Sequence, residues 1–150
     1  MSRAFVKEDD DAVEDLPDRP VSTAPNLVTA EGLAAIDAEI ARLDAELAHA
    51  EDRNDRARIA RDQRYWSARR STAQLMPAPA DCGVVRFGCT VTIERDDGRA
   101  QTFRIVGEDE AAPEHGTISH VSPLARALMG KEVGDGARVA EHDFEIVKIG

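Results

Sequence analysis

Apolar residues recur along the first half of the chain at helical spacing. Leu33, Ile36, Ile40, Leu43 and Leu47 follow one another at alternating steps of three and four. This is the a/d seam of a heptad. It predicts a helix opening at Thr29-Ala30-Glu31, with Thr29 as its cap and Glu31 at the positive end of the dipole. A second helix is predicted from about Arg56 to Leu75, where Ile59, Trp66 and Ala73 sit seven apart. Its intermediate seam positions (Asp62/Gln63, Arg69/Arg70) are polar, and Pro77 and Pro79 end it. With a polar break at Glu51–Asp55, the pair reads as an antiparallel helical hairpin, a coiled coil over residues 29–79 with its tip near 51–55. The competing reading is two separate helices packed on a globular domain.

From Val84 the period changes to that of strands. Val84–Thr92 and Thr102–Val106 are short β-branched runs, joined through the hairpin signal Asp96-Asp97-Gly98. Thr117–Val121, Ala137–Glu141 and Phe144–Ile149 are further candidate strands. Ser122-Pro123 opens a short helix that runs from Leu124 to Met129 and stops at Gly130. The expected fold class is α+β: the hairpin, then an antiparallel-sheet domain over 80–150 with one short helix.

Residues 1–28 break both patterns. Glu8-Asp9-Asp10-Asp11 is a solvated charge run, and Pro17, Pro20 and Pro25 forbid a long helix. An acidic extension, disordered or loosely docked, is expected there, the sharper alternative being a peptide that folds on a partner. The N-terminal residues run straight into acids, unlike a signal peptide, and no apolar run approaches the roughly 18 residues that span a membrane. A cytoplasmic protein is expected.

Charge sharpens this picture. The 150 residues carry 19 Lys and Arg against 29 Asp and Glu, a net charge of −10. Such a chain repels phosphates over most of its surface, and with 4% aromatics it offers no extended stacking platform. The distribution is uneven. Residues 29–52 hold seven acids and one base, Arg42, whereas residues 53–81 hold seven arginines and three acids. Opposed arms favour pairing within the hairpin. Cys82 and Cys89 match no metal-ligand spacing and are too few for a disulfide scaffold, so packing roles are expected. The four histidines form no ligand set.

Local stretches resemble a known family. Ser122-Pro123-Leu124-Ala125-Arg126-Ala127-Leu128-Met129-Gly130-Lys131-Glu132-Val133-Gly134-Asp135 is similar to the signature of the bacterial GreA/GreB transcript cleavage factors. Thr102–Glu110 resembles their "FRIVG-x-DE" strand, and Leu27–Gly32 their "VT-x-EG" helix opening. The resemblance covers about residues 26–150 and is GreB-like with a shortened coiled coil.

It implies an FKBP-like C-terminal domain that docks on the β′ subunit of RNA polymerase at the rim of the secondary channel. Val121, Ser122, Pro123, Leu124, Ala125 and Arg126 are the implied polymerase-binding residues. The hairpin enters the channel, and tip acids help hold a Mg²⁺ at the polymerase's own active centre, where backtracked RNA is cleaved. Here the tip acids are Asp52 and Asp55, three apart, as on one face of a turn. Arg53, Arg56, Arg58 and Arg61 are the implied contacts to the channel and the nascent RNA 3′ end. The protein is then a monomer and not an enzyme by itself, with no cofactor of its own. The phenylalanines of the domain are too few for a prolyl-isomerase pocket.

Each arm is shorter than the family's pattern by about eleven residues, roughly 16 Å of reach. A Rnk-type regulator, which binds the channel without inducing cleavage, is therefore the alternative. An unrelated hairpin interaction module is the third.

Overall fold

The computed structural model describes residues 16–150, so the charge run at Glu8–Asp11 lies outside the described residues. Two helices of 20 residues each, α1 (Ala30–His49) and α2 (Arg53–Thr72), are followed by a curled sheet, an α+β architecture. The chain divides into two compact units. One holds Ala34–Thr72 with the described part of Met1–Thr23; the other holds Ala24–Leu33 and Ala73–Gly150. Among the described residues no helix is long and apolar enough to cross a membrane.

In the first unit the helices run antiparallel, and Ile36, Leu43 and Ile59 are buried along the seam. Arg69 is also buried, so one polar seam position of α2 is occupied by a guanidinium. Charge pairing reinforces the seam across the arms: Arg70 Nε bonds Asp37 at 2.7 Å, Gln63 bonds Asp44 at 2.8 Å, and Arg58 bonds Glu46 at 3.1 Å. Arg42, the lone base of α1, forks onto Glu39 at 2.6 and 3.0 Å. That bond from Arg42 holds the Glu39 carboxyl below the usual carboxylate range. The α2 helix starts three residues earlier than its apolar spacing suggests and ends at Thr72, which leaves Ala73 outside it.

Residues 16–28, expected as a disordered or loosely docked extension, are docked. Arg19 and Asp18 are ion-paired to Asp62 and Arg64 of α2. Leu27–Val28 forms β1, pairing in parallel with β2 (Gln74–Leu75) just beyond α2. Val28 is buried, and Asn26 O accepts from Gln74 N–H at 2.8 Å.

The sheet has strand order β5-β4-β3-β7-β6, from β3 (Thr90–Arg95), β4 (Ala100–Val106), β5 (Thr117–Ser119), β6 (Gly136–Val139) and β7 (His142–Ile149). Its core is Val85, Val91, Ile93, Ile105, Ile118, Ala125, Leu128 and Ile146. Asp96-Asp97-Gly98 makes the turn between β3 and β4. The sheet is mixed, however: β5 lies parallel to β4, reached by a connection through the short 3₁₀ turn Pro113–His115. Residues 84–89 are a loop, not the start of β3. Val85 is buried there and exchanges bonds with the chain after the short helix α3 (Pro123–Leu128), donating to Lys131 O and accepting from Gly130 N–H. Cys82 and Cys89 form a disulfide across this loop, against the expectation of simple packing residues. The strand expected at Ala137–Glu141 stops at Val139, because Ala140 and Glu141 take positive φ of 50° and 70° to turn into β7.

The first turn of α1 is held by an acid from the far end of β4. Thr29 Oγ1 accepts from Gly32 N–H at 3.0 Å, the N-cap bond. Glu110 accepts from Thr29 N–H at 2.9 Å, from the Thr29 hydroxyl, and from Gly107 N–H at 3.2 Å. A Cβ at Gly107 would strike the Leu27 carbonyl, and one at Gly32 the Glu110 carboxylate. Glu31, beside this joint, has its carboxyl lowered by its own backbone N–H and then by Arg104, 3.9 Å away.

Three outcomes follow, two from these contacts and one from the disulfide. Glu110→Ala strands two N–H groups and is expected to cost about 2–3 kcal/mol. Gly107→Ala should cost as much, since the clash is with backbone; urea unfolding of both variants checks this. Reduction of the Cys82–Cys89 disulfide, which closes a loop of sequence separation 7, is expected to cost about 2.5 kcal/mol, read as a lower unfolding midpoint in reductant.

Candidate functional site

The tip is a tight exchange between two helix ends. The α1 helix ends at His49 and α2 begins at Arg53, and every residue from Glu51 to Arg56 is exposed. Asp52 precedes the first turn of α2, and its Oδ2 accepts from Asp55 N–H at 3.1 Å. It is therefore the N-cap of α2. Arg56 reaches back from that turn to close the end of α1, donating from Nη1 to Ala50 O at 2.9 Å and Leu47 O at 3.2 Å. Asp55 lies in the first turn, with Arg58 3.8 Å from its carboxylate.

Asp52 and Asp55 thus share one exposed turn, as their spacing suggests, but each is engaged with its neighbours. Among the described residues no three His, Cys, Asp or Glu side chains gather to hold a metal ion. Two carboxylates supply a hard cation with only part of its six or more oxygen ligands. They fit a Mg²⁺ whose other ligands come from elsewhere.

The arginines of α2 fall on different faces. Arg53, Arg56 and Arg64, with Leu47, Glu51, Ala57 and Ala60, line a shallow groove of about 520 Å³. Arg58 and Arg61 do not line it; Arg58 is tied to Glu46, and Arg61 Nε lies 3.7 Å from Asp62. Arg64, one of the seven arginines of the basic arm but not among the implied RNA contacts, joins this face; positions 53, 56/57, 60 and 64 have the spacing of one helix side. Sequence reasoning did not foresee that Asp18 would bond Arg64 Nε at 2.6 Å.

In the sheet unit, Ser122 (φ −64°, ψ 152°) caps α3 by accepting from Ala125 N–H at 3.2 Å, and Pro123 takes the first helical position. One face of this helix belongs to the core. Ala125 and Leu128 are fully buried and Leu124 packs against the same cluster. Ala125 therefore offers no surface to a partner, which corrects its place among the expected binding residues. Pro123 and Arg126 are exposed, while Val121 and Ser122 are half-buried, Val121 N–H donating to Ser119 Oγ at 3.2 Å. Just beyond the helix, Met129 and Val133 are exposed apolar side chains that the sequence reading passed over.

Residues 79–150 match the family model described as transcription elongation factor, GreA/GreB, C-term. The chain is similar to the transcription elongation factor GreA of Hyphomonas neptunium, 53% identical over 70 residues that cover 43% of this chain and 45% of that one. It is also similar to GreA of Alkalilimnicola ehrlichii, 45% identical over 86 residues, 53% of this chain and 54% of the relative. The chain spans about half the length of the curated relatives it matches. Among solved structures, the GreA factor homolog 1 of Thermus thermophilus aligns over 85% of this chain and 99% of that one, at 19% identity and a TM-score of 0.41.

The cap at the tip separates charge from structure. Asp52→Ala is expected to cost about 1 kcal/mol of hairpin stability, whereas Asp52→Asn, an equally good cap, should cost only a few tenths. Thermal unfolding followed by circular dichroism at 222 nm checks the difference.

Proposed function

We propose that this chain, which through residues 79–150 belongs to the GreA/GreB family of transcription elongation factors, acts on RNA polymerase at its secondary channel and stimulates the polymerase's own cleavage of backtracked RNA. The match of those residues to the family carries the reading. The geometry that supports it is the pair of acids, Asp52 and Asp55, on the exposed turn between two antiparallel helices. In this reading Pro123 and Arg126, with half-buried Val121, Ser122 and Leu124, dock against the β′ subunit at the channel rim.

The chain contributes position and charge and is not itself an enzyme. A metal pair in the polymerase stabilises the attacking and leaving oxygens of an in-line displacement. Asp52 and Asp55 supply carboxylate oxygens toward such a centre. Their placement is stiffened by the Asp52 cap and by the closure of α1 through Arg56. Arg53 and Arg56 stand beside them for the RNA 3′ end.

A second reading is favoured by one measurement. The α1 helix has 20 residues, about 30 Å of rise. Placement of catalytic charge is steeply sensitive to distance, so a short hairpin favours occupancy of the channel without cleavage.

One assay separates the two. Purified chain is mixed with a stalled, backtracked elongation complex and Mg²⁺, and short 3′ RNA fragments are followed. Stimulation that falls at least tenfold in Asp52→Asn/Asp55→Asn and is lost in Pro123→Arg supports the cleavage reading. Co-elution with core polymerase, sensitive to Pro123→Arg, without stimulated cleavage supports the second. Absence of co-elution sinks both.

A further inference from the structure

Within the first unit, Asp18 and Arg19 of the segment Leu16–Thr23 contact α2, and what they touch points to what the surface beneath is suited to hold. Asp18 bonds Arg64 Nε at 2.6 Å. Its neighbour Arg19 lays its guanidinium over the ring of Tyr65, with Cζ 3.9 Å from the centroid, and lies 6.0 Å from the centroid of Trp66. Arg19 Nη1 is anchored by Asp62 at 3.3 Å. Tyr65 and Trp66 meet edge to face, centroids 5.1 Å apart.

A carboxylate on an arginine fork occupies the place of a phosphate, since the fork accepts either anion. A planar guanidinium on an aromatic face occupies the place of a base, because both stack on the ring. Adjacent residues of the segment therefore fill adjacent positions that one nucleotide of a single strand would fill. Arg64 also lines the groove that continues through Ala60 and Ala57 to Arg56 and Arg53. From Arg53 to Arg64 the helix rises about 16 Å, so cationic positions extend well past the stacking pair.

We propose that residues 16–23 are an internal competitor that closes a single-stranded RNA site formed on α2 by Arg64 and Tyr65, with Arg56 and Arg53 extending it.

The device is built to open. Asp18 and Arg64 keep 72% and 50% of their side-chain surface exposed in the pair, and Arg19 keeps 38%. Exposed ion pairs and exposed cation–π contacts are weak and screened by salt. Pro17 and Pro20 flank the contacting pair and keep the segment out of a helix of its own. The sequence before it, with six acids between Glu8 and Asp15, has the same sign as an RNA backbone. An RNA strand offering several phosphates displaces a competitor that offers one carboxylate to Arg64. Its apparent affinity is set by the fraction of molecules in which the segment has lifted.

The inference stands without the polymerase reading, and so does its test. Full-length chain is titrated against a fluorescein-labelled 12-nucleotide oligouridine, with anisotropy read at 50 and 200 mM KCl and no polymerase present. Asp18→Ala/Arg19→Ala is expected to bind about tenfold more tightly than the unmodified chain at the lower salt. Its log–log salt slope should steepen by about 0.7, one released counterion on a single strand. Adding Tyr65→Leu and Arg64→Gln to that variant should return the affinity to that of the unmodified chain. An unchanged affinity in Asp18→Ala/Arg19→Ala overturns the proposal. So does an equal gain on a duplex of the same length, since Tyr65 stacks only on an unpaired base. Because α2 loses two surface ties, circular dichroism confirms folding; if the double variant is unfolded, Arg19→Gln alone carries the test, with a gain of about threefold expected and none overturning it.

Discussion

The carboxylate of Glu110 takes the place that an acid three residues into α1 holds in an ordinary capping box. That position in α1 is Gly32, which has no side chain to reach back. Glu110 accepts from Thr29 N–H instead, across 81 residues of chain, and also takes the Thr29 hydroxyl and Gly107 N–H. Its negative charge sits at the positive end of the α1 dipole. The rest of the joint follows from this carboxylate. Gly32 leaves room for it, and Gly107 lets β4 end against the Leu27 carbonyl. Leu27 and Val28 are thereby held where they pair with Gln74 and Leu75 as the chain leaves α2. Three distant segments are fixed in the sheet unit by one side chain.

That joint also marks the limit of what could be read from the sequence. Its two halves were visible as separate stretches, Leu27–Gly32 and Thr102–Glu110, each resembling the GreA/GreB pattern. Nothing in either says that they touch, because periodicity reports only which face of an element is apolar, not its distant neighbour. Elements governed by local chemistry were legible: the Ser122 cap, the Asp96-Asp97-Gly98 turn and the seam through Ile36 and Leu43. The misses share a non-local cause. The parallel pairing of β5 depends on the route of residues 107–116. Val85 is held in its loop by Gly130 and Lys131, not by its own β-branched neighbours. Cys82 and Cys89 are paired by the path of that loop. For the candidate site, the tip acids were legible from spacing, while the contacts of Asp18 and Arg19 with α2 were not, since three prolines and a charge run resemble an unstructured extension.

Charge within the first unit is balanced internally before any partner arrives. Arg58, Arg70 and Gln63 of α2 face Glu46, Asp37 and Asp44 of α1. The seam between them buries few large apolar side chains, so the charged ladder sets the register of the arms while Ile36, Leu43 and Ile59 supply the dry contact. Exposed pairs add little energy one by one. Their value is in specificity, because sliding one arm by a turn would part these pairs and leave the acids of α1 without their partners on α2. The cations that remain outside the ladder, Arg53, Arg56 and Arg64, gather on the groove side of α2.

The tip turns on a carboxylate with two oxygens. As a cap, Asp52 needs one of them, and Oδ2 is given to Asp55 N–H. A serine or asparagine would cap α2 as well, but neither would leave a charged oxygen free. The bond through Oδ2 restrains an otherwise exposed side chain. Asp55, one turn on, adds a second charge at the same helix N-terminus, where both carboxylates are favoured by the dipole. Capping by one oxygen therefore leaves the other open to a second role for the same side chain. A tip built this way orders the Asp52 carboxylate in advance, so less conformational entropy is left to lose in any later contact.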